Sequence, residues 1–423
     1  MEREYLIKPF LTKQYTEISH GKGIYLYDKS GKEYIDGSSG AVTVNIGHGV
    51  EEVVTAMKEQ AEKVAFVYRS QFTNDSAEQL AEKIASMTPG DLNWTFFVNS
   101  GSEATETAMK VAIQYWQEKG MGSKQKIISR WMSYHGITMG ALSMSGHPLR
   151  RKRFVSLLED YPIVSPPRGI EHAEELEVAI QQIGAEQVAA FIAEPIVGAA
   201  GGALTPPDGY YERIREICDK YNILFIADEV MTGIGRTGKM FAMEHWGIVP
   251  DIIALGKGLS SGYTPIAATV VSDRVMAPII QGSKLIMSGH TFSANPLSSA
   301  VALAVLRYME TNDVVAQAKK NGEYLLNCLE KIKEKYAFIE EIRGKGMLLG
   351  IEFSPTILNT NIIDVAFEHG LLLYPAVGGI YGKDENCCLV APPLTITRGE
   401  IDELARRLER SFASYERRMD GAE

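Results

Sequence analysis

Ile223-Leu224-Phe225-Ile226-Ala227-Asp228-Glu229-Val230 and, further along, Asp251-Ile252-Ile253-Ala254-Leu255-Gly256-Lys257 decide the fold. Each contains a short, unbroken apolar run rich in β-branched residues and punctuated by Gly or Pro. A run of that kind reads as a strand buried on both faces, as in a parallel sheet. Each ends on a charged side chain, Asp228 or Lys257, and open α/β sheets bind their ligands outside the carboxyl ends of the strands. Working outward, comparable runs at 94–98, 126–130, 188–193 and 267–271 alternate with helical patterns. That alternation predicts a doubly wound, mostly parallel sheet flanked by helices.

The flanks read differently. Residues 24–36 predict a hairpin turning at Asp28-Lys29-Ser30-Gly31, and helical patterns follow at 50–65 and 75–87. After Asn295 come helices at 296–310 and 313–335, strands near 347–353, 371–374 and 387–391, and a closing helix from about Arg398. The expectation is an α/β protein with a large domain over residues 51–297. A smaller α+β domain is assembled from residues 1–50 and 298–423. Pro162–Gly169, with Pro166-Pro167, reads as an exposed loop.

A chain of 423 residues with 45% hydrophobic and 23% charged residues is ordinary for a soluble protein. Its net charge of −10 and the lack of a basic stripe argue against a nucleic-acid or anionic-membrane partner. The cluster Arg150-Arg151-Lys152-Arg153 reads as a solvated helix face. Cys218, Cys328, Cys387 and Cys388 form no disulfide framework, and neither C-x-x-C nor clustered His suggests a metal site. With no apolar signal core after Met1 and no run long enough to span a bilayer, the expected location is cytoplasmic.

A lysine and an aspartate at neighbouring strand ends suit pyridoxal 5′-phosphate. The amine forms a Schiff base with the aldehyde, and the carboxylate holds a proton on the pyridine nitrogen. A surface Lys and a capping Asp fit the same letters. Asn99-Ser100-Gly101-Ser102-Glu103-Ala104 follows the run 94–98 and opens a helix. Its amides and hydroxyls suit a phosphate, and a Ser N-cap with a nearby Glu fits equally. Tyr134, in Tyr134-His135-Gly136, is placed to stack on a flat cofactor or simply to pack. Thr291 lies in a polar stretch before a helix, where it binds phosphate or caps. Gly233-Ile234-Gly235-Arg236-Thr237-Gly238-Lys239 spells two nucleotide-loop patterns. Met240 stands where one needs Ser or Thr, and the other lacks its strand and helix, so these glycines read as a turn.

Together these segments resemble the class III pyridoxal-phosphate aminotransferases of fold type I, from Asp28 to about Glu409. Besides the motifs above, the resemblance rests on Glu194-Pro195, Asp228-Glu229-Val230, Gly256-Lys257-Gly258, Thr291-Phe292 and Ala391-Pro392-Pro393-Leu394. It implies a seven-stranded, mostly parallel sheet and a homodimer or dimer of dimers with shared active sites. It also implies roles residue by residue. Lys257 carries the cofactor and shuttles the proton, and Asp228 pairs with the pyridinium. Val230 and Tyr134 pack on the two ring faces. Ser100, Gly101 and Ser102 hold the phosphate, joined by Thr291 from the neighbouring subunit. His135 and Glu194 line the cofactor site.

Family members often act on amino groups remote from a carboxylate, with pyruvate or 2-oxoglutarate as acceptor. Many relatives place an acceptor-binding arginine where this chain has Tyr381-Gly382-Lys383-Asp384-Glu385, and Lys383 lacks the planar fork of arginine. Arg69, near Phe72, is the alternative anchor. Val42 stands where some amine-specific relatives carry a bulky aromatic, implying a roomier entrance. The leading expectation is an aminotransferase moving an amino group from an ω-amino acid or primary amine to a 2-oxo acid, pyruvate favoured, by a ping-pong mechanism. A PLP-dependent aminomutase or decarboxylase on the same scaffold, and a catalytically silent binding protein, are the alternatives.

Overall fold

The computed structural model describes residues 5–379 and 384–419 and holds three sheets. The first contains β1 (Ile18–Lys22), β2 (Tyr25–Asp28) and β3 (Glu33–Ile35) in an antiparallel meander. The central sheet contains β4 (Trp94–Val98), β5 (Lys126–Arg130), β6 (Ile163–Val164), β7 (Val188–Ala193), β8 (Leu224–Asp228), β9 (Ile252–Leu255) and β10 (Ala267–Val271). Their order is β4-β10-β9-β8-β7-β5-β6. β10 runs antiparallel to both its neighbours, and the remaining pairings are parallel. The third sheet, ordered β11-β12-β14-β13, is antiparallel and contains β11 (Ile339–Lys345), β12 (Leu348–Phe353), β13 (Tyr374–Gly378) and β14 (Asp384–Val390).

The unbroken apolar runs follow from burial on both faces of the central sheet. Along β8, Phe225 and Ala227 join a cluster that extends from Ile24 to Tyr415. Leu224 and Ile226 face a second cluster with Val111, Tyr115 and Trp116 of the helix Gly101–Glu118 and Val275 of the helix Asp273–Gln281. A polar residue on either face would lack a partner, so the usual strand alternation disappears.

Several sequence expectations need correction. The stretch 162–169 is not an exposed loop, because Val164, Pro166 and Pro167 are buried and β6 pairs with β5 at the sheet edge. Proline brings no N–H that burial would orphan. The strand expected at 371–374 begins at Tyr374, on an edge that tolerates Pro375, while Leu371 makes only a bridge to Ile35. Arg150-Arg151 is not merely a solvated face. Arg151 Nη1 donates to the carbonyls of Leu142, Ser143 and Ser145 at 2.9–3.0 Å, closing the helix Met139–Met144.

The glycine-rich segment 233–238 is a turn that holds a buried arginine. Arg236 is 0% exposed and has no carboxylate hydrogen-bonded to it among the described residues. Its Nη1 donates to the carbonyls of Met347 (3.1 Å) and Pro392 (2.6 Å), and its Nη2 to Asn45 Oδ1 (2.7 Å) and Ser39 Oγ (3.3 Å). Burial pushes this guanidinium down to about 9. The side chain thus ties the central segment to both chain ends. Arg236→Ala leaves those acceptors unpaired at about 1–3 kcal/mol each. The expected result is a net loss of about 3 kcal/mol in urea unfolding, because losing the desolvation penalty offsets part of the damage. An unchanged urea midpoint would show that the clasp carries no stability.

Candidate active site

Four parallel strands and the antiparallel-paired β4 deliver the site from their carboxyl ends. β4 leads through the N-cap Ser100 into the helix Gly101–Glu118, β5 leads to Tyr134 and His135, and β7 leads to Glu194. β8 ends on Asp228, and β9 runs through Gly256 to Lys257. Gly101, Ser102, Tyr134, His135, Glu194, Asp228, Val230 and Lys257 line one cavity of about 160 Å³, together with Gly136, Ala199 and Met231. Three larger cavities, of about 190, 320 and 440 Å³, include none of these expected residues.

Asp228 is only 4% exposed. Its Oδ2 lies 2.8 Å from His135 Nδ1, and its Oδ1 accepts from the Val230 amide at 3.1 Å. His135 is fixed in turn by its own backbone. Its amide donates to Ser145 Oγ at 2.8 Å, and its carbonyl accepts from Thr105 Oγ1 at 2.7 Å. His135 therefore orients Asp228, a role its sequence context did not specify. Glu194 accepts from the amides of Tyr134 (2.9 Å) and Gly198 (3.0 Å), and burial raises its carboxyl above the ordinary value.

Lys257 has φ 41°, a left-handed conformation that aims its side chain off the end of β9. Burial pushes its ammonium down from 10.5 to about 8, against the opposing pull of Asp228 and Glu194. Charged Lys257 therefore destabilises the cofactor-free fold below pH 8, and the penalty disappears as pH rises from about 8 towards 10.5. Cofactor-free Lys257→Met should be more stable than wild type by about 2 kcal/mol at pH 7. The gap should close near pH 10, as read by urea titration at both pH values. A gap that does not change with pH would remove the buried charge as its cause.

At the helix entrance, Ser100 Oγ accepts from the Glu103 amide at 3.3 Å, and Glu103 Oε2 accepts from the Asn99 amide at 2.7 Å. Ser100 thus caps, while Gly101 and Ser102 face the cavity. The Gly101 and Ser102 amides precede the first intrahelical bond, Ala104 to Ser100. Glycine is required here by close packing. A Cβ on Gly101 would lie 2.8 Å from Val230 Cγ1, and one on Gly136 would lie 2.5 Å from Ser102 Oγ.

The remaining expected residues lie outside this cavity. Thr291, Arg69 and Phe72 are exposed, and Val42 is fully buried with φ 56°. Arg69 lies over the Phe96 ring at 5.0 Å and donates to the Ser288 carbonyl. Lys383 falls outside the described residues. One side chain near the site was missed: Arg150, whose guanidinium lies 4.8 Å from the centre of the Tyr134 ring.

Residues 11–412 match the family described as aminotransferase class-III. The chain belongs to this family. The uncharacterized aminotransferase YodT of Bacillus subtilis is 51% identical across 98% of this chain and 99% of its own length. The putrescine–pyruvate aminotransferase of Pseudomonas aeruginosa is 34% identical across 96% and 93% of the two chains. The solved transaminase of the marine bacterium Virgibacillus superposes with a TM-score of 0.94, at 35% identity, over 98% of each chain.

Class III aminotransferases work with pyridoxal 5′-phosphate on small amines and keto acids. The cavity of this aminotransferase fits that cofactor. It offers one amine for the aldehyde, one buried carboxylate for the ring nitrogen and free helix-start amides for the phosphate. The space that a Cβ on Gly101 or Gly136 would need is already taken by Val230 and Ser102. Among the described residues, no helix is long and apolar enough to cross a membrane, and no group of three His, Cys, Asp or Glu could hold a metal.

Proposed function

We propose that this aminotransferase moves an amino group from an ω-amino acid or primary amine to a 2-oxo acid, with pyruvate favoured over 2-oxoglutarate, by a ping-pong mechanism. The observation that carries this reading is the convergence of Lys257, Asp228 and the Gly101–Ser102 helix start on one cavity. The preference for pyruvate draws support from the relative named for putrescine and pyruvate.

When bound, pyridoxal phosphate supplies an electron sink that acidifies the carbon bearing the substrate amine. Lys257 holds and moves the proton at that carbon, and its lowered ammonium value leaves a useful fraction of free amine near neutral pH. Asp228, oriented by His135, holds a proton on the ring nitrogen. Val230 and Tyr134 would hold the ring between them, and Gly101 and Ser102 would hold the phosphate.

The phosphate site is completed by Thr291 of a second copy, which makes a homodimer the working unit. Supporting this, Thr291 sits on an exposed surface with apolar Phe66, Phe72, Met287 and Phe292, and the Phe66 and Phe292 rings meet at 6.1 Å. The four free cysteines agree with a cytoplasmic location.

A panel of amines assayed against pyruvate and 2-oxoglutarate tests the reading. Transamination products with parallel double-reciprocal plots are expected. Release of carbon dioxide, or isomerisation without an acceptor, would replace it.

A further inference from the structure

The site has a second compartment, of about 100 Å³, whose walls include Tyr134, Ala199, Met231 and Lys257 of the first. Its other walls include His147, Arg150 and Tyr374. Among the described residues, no carboxylate lines it. Arg150 makes no ion pair among the described residues, and its guanidinium lies over the Tyr134 ring, with His147 and Tyr374 on the same wall. Stacking uses the face of a guanidinium and leaves its in-plane N–H fork free for another ligand. His147 is 2% exposed and packs edge-on to Tyr134 at 6.3 Å, and its Nδ1 is buried without a hydrogen-bond partner. A cation without an ion-pair partner among the described residues therefore faces a small space that opens onto the reactive amine.

We infer that Arg150 is the carboxylate anchor of the substrate site, holding the acid group of the 2-oxo acid while its carbonyl carbon lies towards Lys257. Arg150 fills the place for which Arg69 and Lys383 were candidates by sequence. Arg69 lines neither compartment, and its guanidinium is already engaged with Ser288 and Phe96. The compartment's small size favours short acids, in keeping with pyruvate. Burial keeps His147 neutral, pushing it down to about 4, so the compartment's charge comes from Arg150 and Lys257.

This inference rests on the transaminase reading but is tested apart from it. Propionate, which cannot react, is titrated calorimetrically into the pyridoxal-phosphate-loaded protein alongside neutral propionamide. Arg150→Met should weaken propionate binding about 30-fold, and Arg150→Lys should recover part of it. Propionamide binding should change by less than about threefold. In half-reactions, the KM for pyruvate should rise about 30-fold in Arg150→Met and that for propanal should not. A parallel rise for β-alanine but not propylamine would extend the anchor to the donor's acid group. Propionate binding that survives in Arg150→Met, or an equal loss for propionate and propionamide, overturns the assignment. The second result would make Arg150 only a support for Tyr134. If no amine converts the cofactor, the transaminase reading fails while the propionate arm still decides Arg150.

Discussion

Lys257→Ala lowers kcat by at least about 10⁴-fold with every amine that the wild type accepts, because one group is asked to be both nucleophile and proton carrier. The fold should survive. The wild-type side chain carries a desolvation penalty, visible in the lowering of its ammonium to about 8, and alanine removes it. Circular dichroism should therefore be unchanged while turnover collapses. Borohydride treatment of the loaded wild type should leave the cofactor's mass on the peptide containing Lys257, and the variant should show no such adduct. Full turnover in Lys257→Ala would remove the residue from the chemistry.

Asp228→Asn is the second large effect. Asparagine keeps the shape and can still accept from the Val230 amide, so the change removes charge with little else. An amide cannot hold the proton that a buried carboxylate shares with a ring nitrogen, and the buried His135 loses its acidic partner at 2.8 Å. Removing one preorganised electrostatic group of this kind costs about 10²–10³ in rate, and the upper end is expected here because the site is buried. Cofactor retention on dialysis should fall as well. Rates within about threefold of wild type would show that Asp228 is only a cap.

Much of this was legible in the sequence because β8 and β9 are buried on both faces. Their apolar runs are unbroken, so the first charged residue at each end stands out, and those residues are Asp228 and Lys257. What stayed hidden depends on tertiary contacts. Arg150 belongs to a four-residue helix in a basic cluster that reads as solvated. It reaches Tyr134 because Gly146, where a Cβ would fall 2.0 Å from the Arg130 carbonyl, lets the chain fold tightly back along β5. The partnership of His135 with Asp228 joins residues 93 apart in sequence, and no local pattern marks it. β11 lay hidden for a different reason: it is a sheet edge with a register shift near Ile339, so it carries no clean alternation.

Whether Lys257 and Asp228 form a pyridoxal-phosphate transamination centre is decided by a single half-reaction. Protein loaded with pyridoxal phosphate is mixed with an amine such as putrescine, with no acceptor present, while the cofactor's absorbance is followed. The bound cofactor should convert to its amino form in step with one equivalent of carbonyl product, and pyruvate should restore the original spectrum. An amine consumed with no change in the cofactor, or a changed spectrum that pyruvate cannot restore, would rule that centre out.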